Sequence, residues 1–535
     1  MEFLALETLQ AIFTQLPQHD LASCALVCWG WSLAVRESLY RAIHLYTTTQ
    51  IKRLLTPEDR RWGIRQLTLH CHVPDTATWG RLQQMCPNVT RVDILTADQL
   101  PGLYGVCCHR RRYPLAEGWP SLEHLPVWHK DPATIWIAPL ASQLRSLAMD
   151  LYFYDDVLVL PPHMVSLERL DLYASRGFFR LDERSFNRIH AACPQLRSLS
   201  LTSFQLCLPS TPPRQHYPLT SLTLAHVSMT GGQTGYTWLG HAYPELQTLR
   251  LQDVRVTAPA RLITHQCSRL TCLEIEDTND DNDENGNERH QLWTELNRWL
   301  AMHPLARFHW THRHEGKSAR LPSFVCLTSL ALTLPTWHHP LSSVPLPGLT
   351  VLTLEFPTRQ VVVMAGLISV CPNLTSLTMI GGVLQGAAEC KIREWTLADT
   401  RVVSFETDVG AICRACPRLQ RLALRHLRCH LGEDEGYVPA KEAGQRFVLG
   451  LNLSGLCLEE LEVANLWYKS MMMADPRYTK RVAVQQIHVH QLASSLPTKS
   501  YHQDRLEDDL WANKVQVHIT CKSIDRIHIR QLKYC

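Results

Sequence analysis

One apolar pattern recurs along this chain: a leucine-like residue, two others, a second, one other, and a third. Clear copies are QLRSLSL ending at Leu201, PLTSLTL at Leu224, ELQTLRL at Leu251, RLTCLEI at Ile275, GLTVLTL at Leu354, NLTSLTM at Met379, RLQRLAL at Leu424 and LEELEV at Val463. Weaker copies end at Ile94, Val127, Met149, Leu172, Trp310 and Leu332; Ile64, Leu67, Leu69 and Val484, Ile487, Val489 fit at the two extremes. The spacing constrains the fold more than any single copy. The middle positions Leu147, Leu170, Leu199, Leu222, Leu249 and Leu273 follow one another at 23, 29, 23, 27 and 24 residues, and Leu330, Leu352 and Leu377 at 22 and 25.

Each L-x-L segment reads as a short strand whose alternate side chains point one way. One such unit cannot bury its apolar side alone, whereas stacked copies share a continuous core. The spacing is that of leucine-rich repeats, whose period is about 20–29 residues. The expected fold class is therefore α/β: a horseshoe solenoid over residues 46–535, parallel strands inside and helices outside. Intervening segments such as ERSFNRIHAACP carry apolar residues at helical spacing, and Pro194, Pro244, Pro372 and Pro417 should stop those helices before the strands. A chain of 535 residues also exceeds what one ordinary core supports, about 250–300 residues. Unrelated strands of an α/β enzyme would not share a residue-level template. The full repeat places Asn or Cys three residues beyond the last strand leucine. Phe204, Val227, Val254, Gly382, Leu427 and Leu466 stand there instead, so the turns are expected to be irregular and without an asparagine ladder.

Residues 1–45 do not follow the repeat. Leu6, Leu9, Ile12, Phe13 and Leu16 fall at helical spacing, and Pro17 should end that helix. Asp20 is the expected N-cap of a second helix, and Trp31, Val35 and Leu39 suggest a third. This segment resembles an F-box. The resemblance rests on the L-x-L-E-x-L-x-x-I-F opening from Leu4 to Phe13, Leu16, the Asp20-Leu21 pair, Val27-Cys28, Trp31 and the closing L-Y-R-x-I-x-L from Leu39 to Leu45. Ala5 stands where the family usually has Pro, and Thr8 where an aliphatic residue is common. The resemblance implies a three-helix module that docks a Skp-type adaptor on a cullin-RING scaffold, while the repeats hold a target protein and partner subunits transfer ubiquitin. Carried over, Leu4, Leu6, Leu9, Ile12, Leu16, Val27, Cys28 and Trp31 would form an apolar face shared between the module's core and the adaptor. The competing reading is that they only fill the core, Phe13 and Trp31 foremost. An F-box followed by repeats is the arrangement of the F-box/leucine-rich-repeat class, and the irregular repeats resemble its degenerate fungal members. A plain solenoid scaffold, with the N-terminal helices as a cap, is the alternative.

Target-binding residues should lie between the strand leucines, at Thr248, Arg250, Gln252, Glu355, Arg421 and Arg425. With 53 basic and 50 acidic residues, the chain makes no general claim on phosphate backbones, so no nucleic-acid partner is expected. The longest apolar stretch, Val361 to Val370, falls short of the ~20 residues that span a bilayer. The start of the chain lacks the basic region of a signal peptide. The expectation is a soluble protein of the cytoplasm or nucleus, with its 19 cysteines as thiols.

Candidates for chemistry are few. Cys413-x-x-Cys416 lacks a second pair, and Cys416 shares a pre-strand slot with Cys86, Cys193 and Cys371, so it reads as structural. Cys107-Cys108-His109 reads as a solvated loop. Asp281 to Gly286 opens like a calcium loop but Leu292 replaces its twelfth-position Glu, so the acidic run near 276–290 reads as a disordered insertion. His303, His309, His312 and His314 cluster in sequence, with His309 between inward Phe308 and Trp310. No catalytic residue, metal or cofactor is expected, and enzymatic activity has no support.

Overall fold

The structure, a computed structural model, describes residues 6–16, 18–56, 63–70, 76–94, 119–129, 138–151, 160, 163–174, 179–230, 233–253, 267–277, 305–312, 326–333, 345–385, 389–398, 401–402, 413, 415–425, 428–430, 447–464, 467–470, 480–491, 499–502 and 515–530. Two compact units are distinguished: Met1–Val254 with Leu262–Arg269, and Arg255–Arg261 with Leu270–Cys535.

The first unit opens with helices α1 (Leu6–Phe13), α2 (Gln18–Cys24) and α3 (Trp29–Tyr40). Strand β1 (Ala42–Leu45) follows at once and pairs in parallel with β2 (Gln66–Leu69), which pairs with β3 (Arg91–Ile94). Helices α4 (Thr48–Leu54) and α5 (Thr76–Met85) fill the connections. Thr47 starts α4 with a capping box, accepting from the Gln50 amide while the Gln50 side chain returns to the Thr47 amide. The ladder continues through β4 (His124–His129), β5 (Ser146–Asp150) and β6 (Arg169–Tyr173). Beyond these come β7 (Phe179–Asp182), β8 (Ser198–Thr202), β9 (Phe204–Cys207), β10 (Ser221–Ala225), β11 (Ser228–Met229) and β12 (Thr248–Gln252). The main ladder takes β6, β8, β10 and β12, while β7, β9 and β11 form a separate three-stranded parallel sheet. Helix α6 (Glu183–Ala192), with Asp182 accepting from the Ser185 amide as N-cap, and α7 (Gln233–Ala242) complete it.

The pairing register explains the repeat. Leu147, Leu170, Leu199, Leu222 and Leu249 stand opposite one another across β5, β6, β8, β10 and β12, as do Met149, Leu172, Leu201, Leu224 and Leu251. All ten are buried, so two unbroken apolar columns run through the unit. Residues between them, such as Ser198, Ser200, Ser221 and Thr223, face the other side.

The second unit repeats this logic over β13 (Cys272–Asp277), β14 (Arg307–His312), β15 (Ser329–Thr333), β16 (Val351–Val363), β17 (Ser376–Gln385), β18 (Glu394–Ala398), β19 (Arg401–Val402) and β20 (Arg421–Arg425), with helix α8 (Met364–Val370) between β16 and β17. Leu273, Phe308, Leu330, Leu352, Leu377, Trp395 and Leu422 form one buried column, and Ile275, Trp310, Leu332, Leu354, Met379, Leu397 and Leu424 the other. Then come β21 (Arg428–His430), β22 (Phe447–Ala464), β23 (Trp467–Ser470), β24 (Lys480–Gln491), β25 (Lys499–His502) and β26 (Val515–Arg530). Here sequence order breaks: β20 pairs with β22, β22 with β26, and β26 with β24. The segment around Ile487 is thus a strand, parallel to β26 but antiparallel to β23 and β25, so the expected all-parallel arrangement fails at β23 to β25, where strands return directly beside their neighbours.

Two features correct the sequence reading. The acidic run near 276 begins inside β13, because Leu273 and Ile275 bury themselves and carry Glu274, Glu276 and Asp277 into the strand; residues 278–304, with the calcium-like loop and His303, lie outside the described residues. Helix α2 starts before Asp20, which therefore sits in the first turn and favours the helix through the dipole instead of capping it.

Where the template wants asparagine, the fold uses other devices. Phe204 and Val227 are buried. Ser203, His226 and Asp253, each one residue past its strand, adopt left-handed φ of 64°, 52° and 51° and turn the chain. Threonines just before the strands supply a hydroxyl ladder. Thr328 Oγ1 donates to the Ala306 carbonyl at 3.0 Å, Thr350 Oγ1 to the Thr328 carbonyl at 3.1 Å and Thr375 Oγ1 to the Thr350 carbonyl at 3.1 Å.

Candidate protein-docking site

The three N-terminal helices build a small core from Phe13, Leu21, Ala34 and Val35, all buried, with Leu9, Leu16, Cys24, Ala25, Trp31 and Leu39 packed around it. The spacing dictates this. Leu9 and Phe13 recur on one side of α1, Leu16 follows from the turn beyond it, and Trp31, Val35 and Leu39 recur on one side of α3. The Phe13 and Trp31 rings meet edge to face with centroids 5.5 Å apart. Cys28 caps α3, its Sγ accepting from the Trp31 amide at 3.4 Å.

A core this small leaves apolar side chains outside it. On the turn between α2 and α3, Leu26 is 88% exposed and Val27 63%; Trp29, the first residue of α3, is 80% exposed, and Ile12 on α1 and Leu33 on α3 are each 45% exposed. Three large apolar residues within four positions, one of them a tryptophan, are unusual on a water-facing surface and typical of a protein-binding one.

The residues expected to face an adaptor therefore separate. Ile12, Val27 and Cys28 are exposed; Leu9, Leu16 and Trp31 are half-buried against the core. Leu6 lies on α1 with its side chain outside the described set, and Leu4 lies outside the described residues. Sequence reasoning missed Leu26, Trp29 and Leu33. The signal was present in ALVCWGW, where the apolar run outlasts the helical spacing and so cannot all enter one core.

The expected target-facing residues sit where the alternation puts them, on the side of the sheet away from the buried columns. In the first unit, Thr248 is half-buried and Arg250 and Gln252 are exposed along β12. In the second, Glu355, Arg421 and Arg425 are exposed. Glu355 accepts from Thr333 Oγ1 at 3.0 Å. Arg421 Nη1 pairs with Glu394 at 3.0 Å and its Nε lies 4.0 Å from both Glu459 and Glu460; Arg425 pairs with Glu462. These arginines bridge neighbouring strands, so their charge is already shared.

The cysteine slots read as structural are buried. Cys86, Cys193, Cys371 and Cys416 all sit five residues before a strand, joined by Cys267, and burial pushes the Cys193, Cys267 and Cys371 thiols up to about 12. Phe308 and Trp310 are buried on either side of His309. His314 and Cys107, Cys108 and His109 lie outside the described residues. Among the described residues, no group of three or more His, Cys, Asp or Glu gathers as a metal site, and no helix is long and apolar enough to cross a membrane.

Compared with known proteins, residues 6–46 match the F-box-like family model, while no curated protein matches the chain. The match covers α1 to α3, β1 and one residue more, the part of the chain that displays the exposed turn. This chain carries an F-box-like domain at its N-terminal end.

Proposed function

We infer that this protein is the substrate-recognition subunit of an SCF-type cullin-RING ubiquitin ligase. Its F-box-like domain docks a Skp-type adaptor. Residues 46–535 form a leucine-rich-repeat solenoid that holds a target protein in the cytoplasm or nucleus, and ubiquitin transfer belongs to partner subunits. The observation that carries this reading is the exposed Leu26-Val27-x-Trp29 turn inside the segment matched by the family model. Ile12, Val27 and Cys28 of the sequence-derived set join it at the adaptor face, while Leu9, Leu16 and Trp31 hold the helices beneath.

Co-purification with a Skp-type adaptor tests it. The full chain is expected to retain the adaptor. A Val27→Asp, Trp29→Ala variant should lose it while keeping its thermal unfolding midpoint, because neither side chain is buried. Equal retention by that variant, or no adaptor with the unaltered chain, would overturn the assignment. The scaffold reading draws on one observation: α3 runs directly into β1, which pairs with β2 and so caps the ladder. The same variant separates the two, since a cap would tolerate it with every partner retained.

A further inference from the structure

In the second unit, the turn entering β18 and the turn entering β20 lie side by side. Glu394 to Ala398 pair residue for residue with Arg421 to Arg425, and the Cys390 amide donates to the Ala415 carbonyl at 3.0 Å. This places Cys390 against Cys416, Sγ to Sγ 2.7 Å, both side chains buried. Elsewhere along the pre-strand slot the neighbouring turn offers a bulkier group: Cys86 meets Trp119, whose Nε1 donates to the Cys86 carbonyl at 2.9 Å, and Cys267 Sγ donates to the Tyr243 carbonyl at 3.6 Å.

The distance decides what chemistry the pair can support. Two thiolates on one tetrahedral zinc, each about 2.3 Å from the metal, stand about 3.8 Å apart. At 2.7 Å these sulfurs are too close for that, and a shift of about 0.7 Å would bring them to a disulfide bond of about 2.05 Å. We propose that Cys390 and Cys416 are an oxidisable dithiol, forming a reversible disulfide that staples adjacent repeat turns when a peroxide reaches them.

Access and reactivity are asymmetric. Cys390 is 8% exposed and Cys416 fully covered, so Cys390 meets the oxidant. The hydrogen bond shared by the two sulfurs holds the Cys390 thiol down to about 7, while that bond and burial push Cys416 up. The Cys390 thiolate attacks one peroxide oxygen. The O–O bond breaks, the departing hydroxide takes the proton that Cys390 gave up and leaves as water, and the sulfur becomes a sulfenic acid. The Cys416 sulfur then attacks that sulfur. The S–S bond forms, and the expelled hydroxide takes the Cys416 proton as a second water. Two thiols lose two electrons, and one hydrogen peroxide gains them. Cys413, buried in the turn whose carbonyl accepts from the Cys416 amide at 3.1 Å, is the competing thiol.

The full chain, titrated with hydrogen peroxide, alkylated and digested, tests the proposal. The expected result is a peptide linking Cys390 to Cys416, lighter by two hydrogens, cleaved by dithiothreitol and still formed in the Cys413→Ser variant. In Cys416→Ser, Cys390 should instead accumulate as a sulfenic acid that dimedone traps. Both thiols remaining alkylatable at doses that oxidise the exposed Cys28 would overturn the proposal. So would a dominant Cys413–Cys416 link, or loss of the Cys390–Cys416 link in Cys413→Ser. Should Cys416→Ser fail to fold, the peptide map of the unaltered chain decides.

Discussion

At His190 the imidazole is neutral in the folded chain, because burial withholds the water that would solvate its charge. Its Nε2 lies 3.0 Å from Tyr243 Oη, and its ring stacks on Tyr217, centroids 3.8 Å apart, whose hydroxyl donates to Asn187 Oδ1. Burial brings its pKa down from 6.5 to about 4. The folded value lies below the unfolded one, so the stability it confers is complete above pH 6.5 and is lost as pH falls from 6.5 toward 4. The loss should total about 3 kcal/mol. Urea unfolding of the first unit at pH 7 and pH 4.5 should show a larger drop for the unaltered chain than for His190→Gln; equal drops would refute the assignment. The apolar columns give a second expectation at this scale. Leu222 is buried between Leu199 and Leu249, and Leu222→Ala should cost about 2–5 kcal/mol, read as a lower urea midpoint. Gly381 is a third special residue. Its φ of +73° favours glycine, and any Cβ there would strike the Phe356 carbonyl oxygen, so Gly381→Ala should destabilise the β16–β17 pairing.

The strands were legible because their information is local and repeated. Leu199, Leu222 and Leu249 declare both the period and the buried side, and the register that follows is the one the structure shows. The elements that escaped the sequence are those fixed by neighbours. The strand Phe204–Cys207 was hidden because it pairs with Phe179–Asp182, and nothing in FQLC announces that partner. The place of β26 between β22 and β24 depends on contacts from distant chain, which periodicity cannot rank. The F-box-like helices were read from spacing, yet which apolar residues turn outward depended on how few the core could accept. Leu26 and Trp29 are outside because Phe13, Trp31 and Val35 had already filled it. The threonine ladder was in plain view as Thr328, Thr350 and Thr375 just before β15, β16 and β17, but a hydroxyl reads the same whether it bonds a carbonyl or water. Replacing one rung, Thr350→Val, keeps the shape and removes the bond to the Thr328 carbonyl; it should cost about 1 kcal/mol by urea denaturation, against a smaller change for Thr353→Val at the half-buried position nearby, which β-propensity favours.

Across the first unit, the helical domain is bound into the sheet. A single residue, Arg41, separates α3 from β1, and its carbonyl accepts from the Arg65 amide at 2.9 Å and the Gln66 amide at 2.8 Å. Removing residues 1–45 would therefore take away β1 as well as the face proposed for the adaptor and uncover the edge of β2. The truncated chain should lose the adaptor and also self-associate, seen as a larger species in size-exclusion chromatography; a monodisperse truncation of unchanged midpoint would show that β1 is dispensable. The pinned joint at Arg41 also governs geometry. Nine strands of the main ladder step away from the helices at about 4.8 Å each, a run of about 40 Å from β1 to β12. With one residue between the helices and the ladder, each strand stands at a set distance from the helical domain; under the ligase function proposed above, the strand that a client occupied would set its reach, and its lysines would be selected by ruler instead of by diffusion.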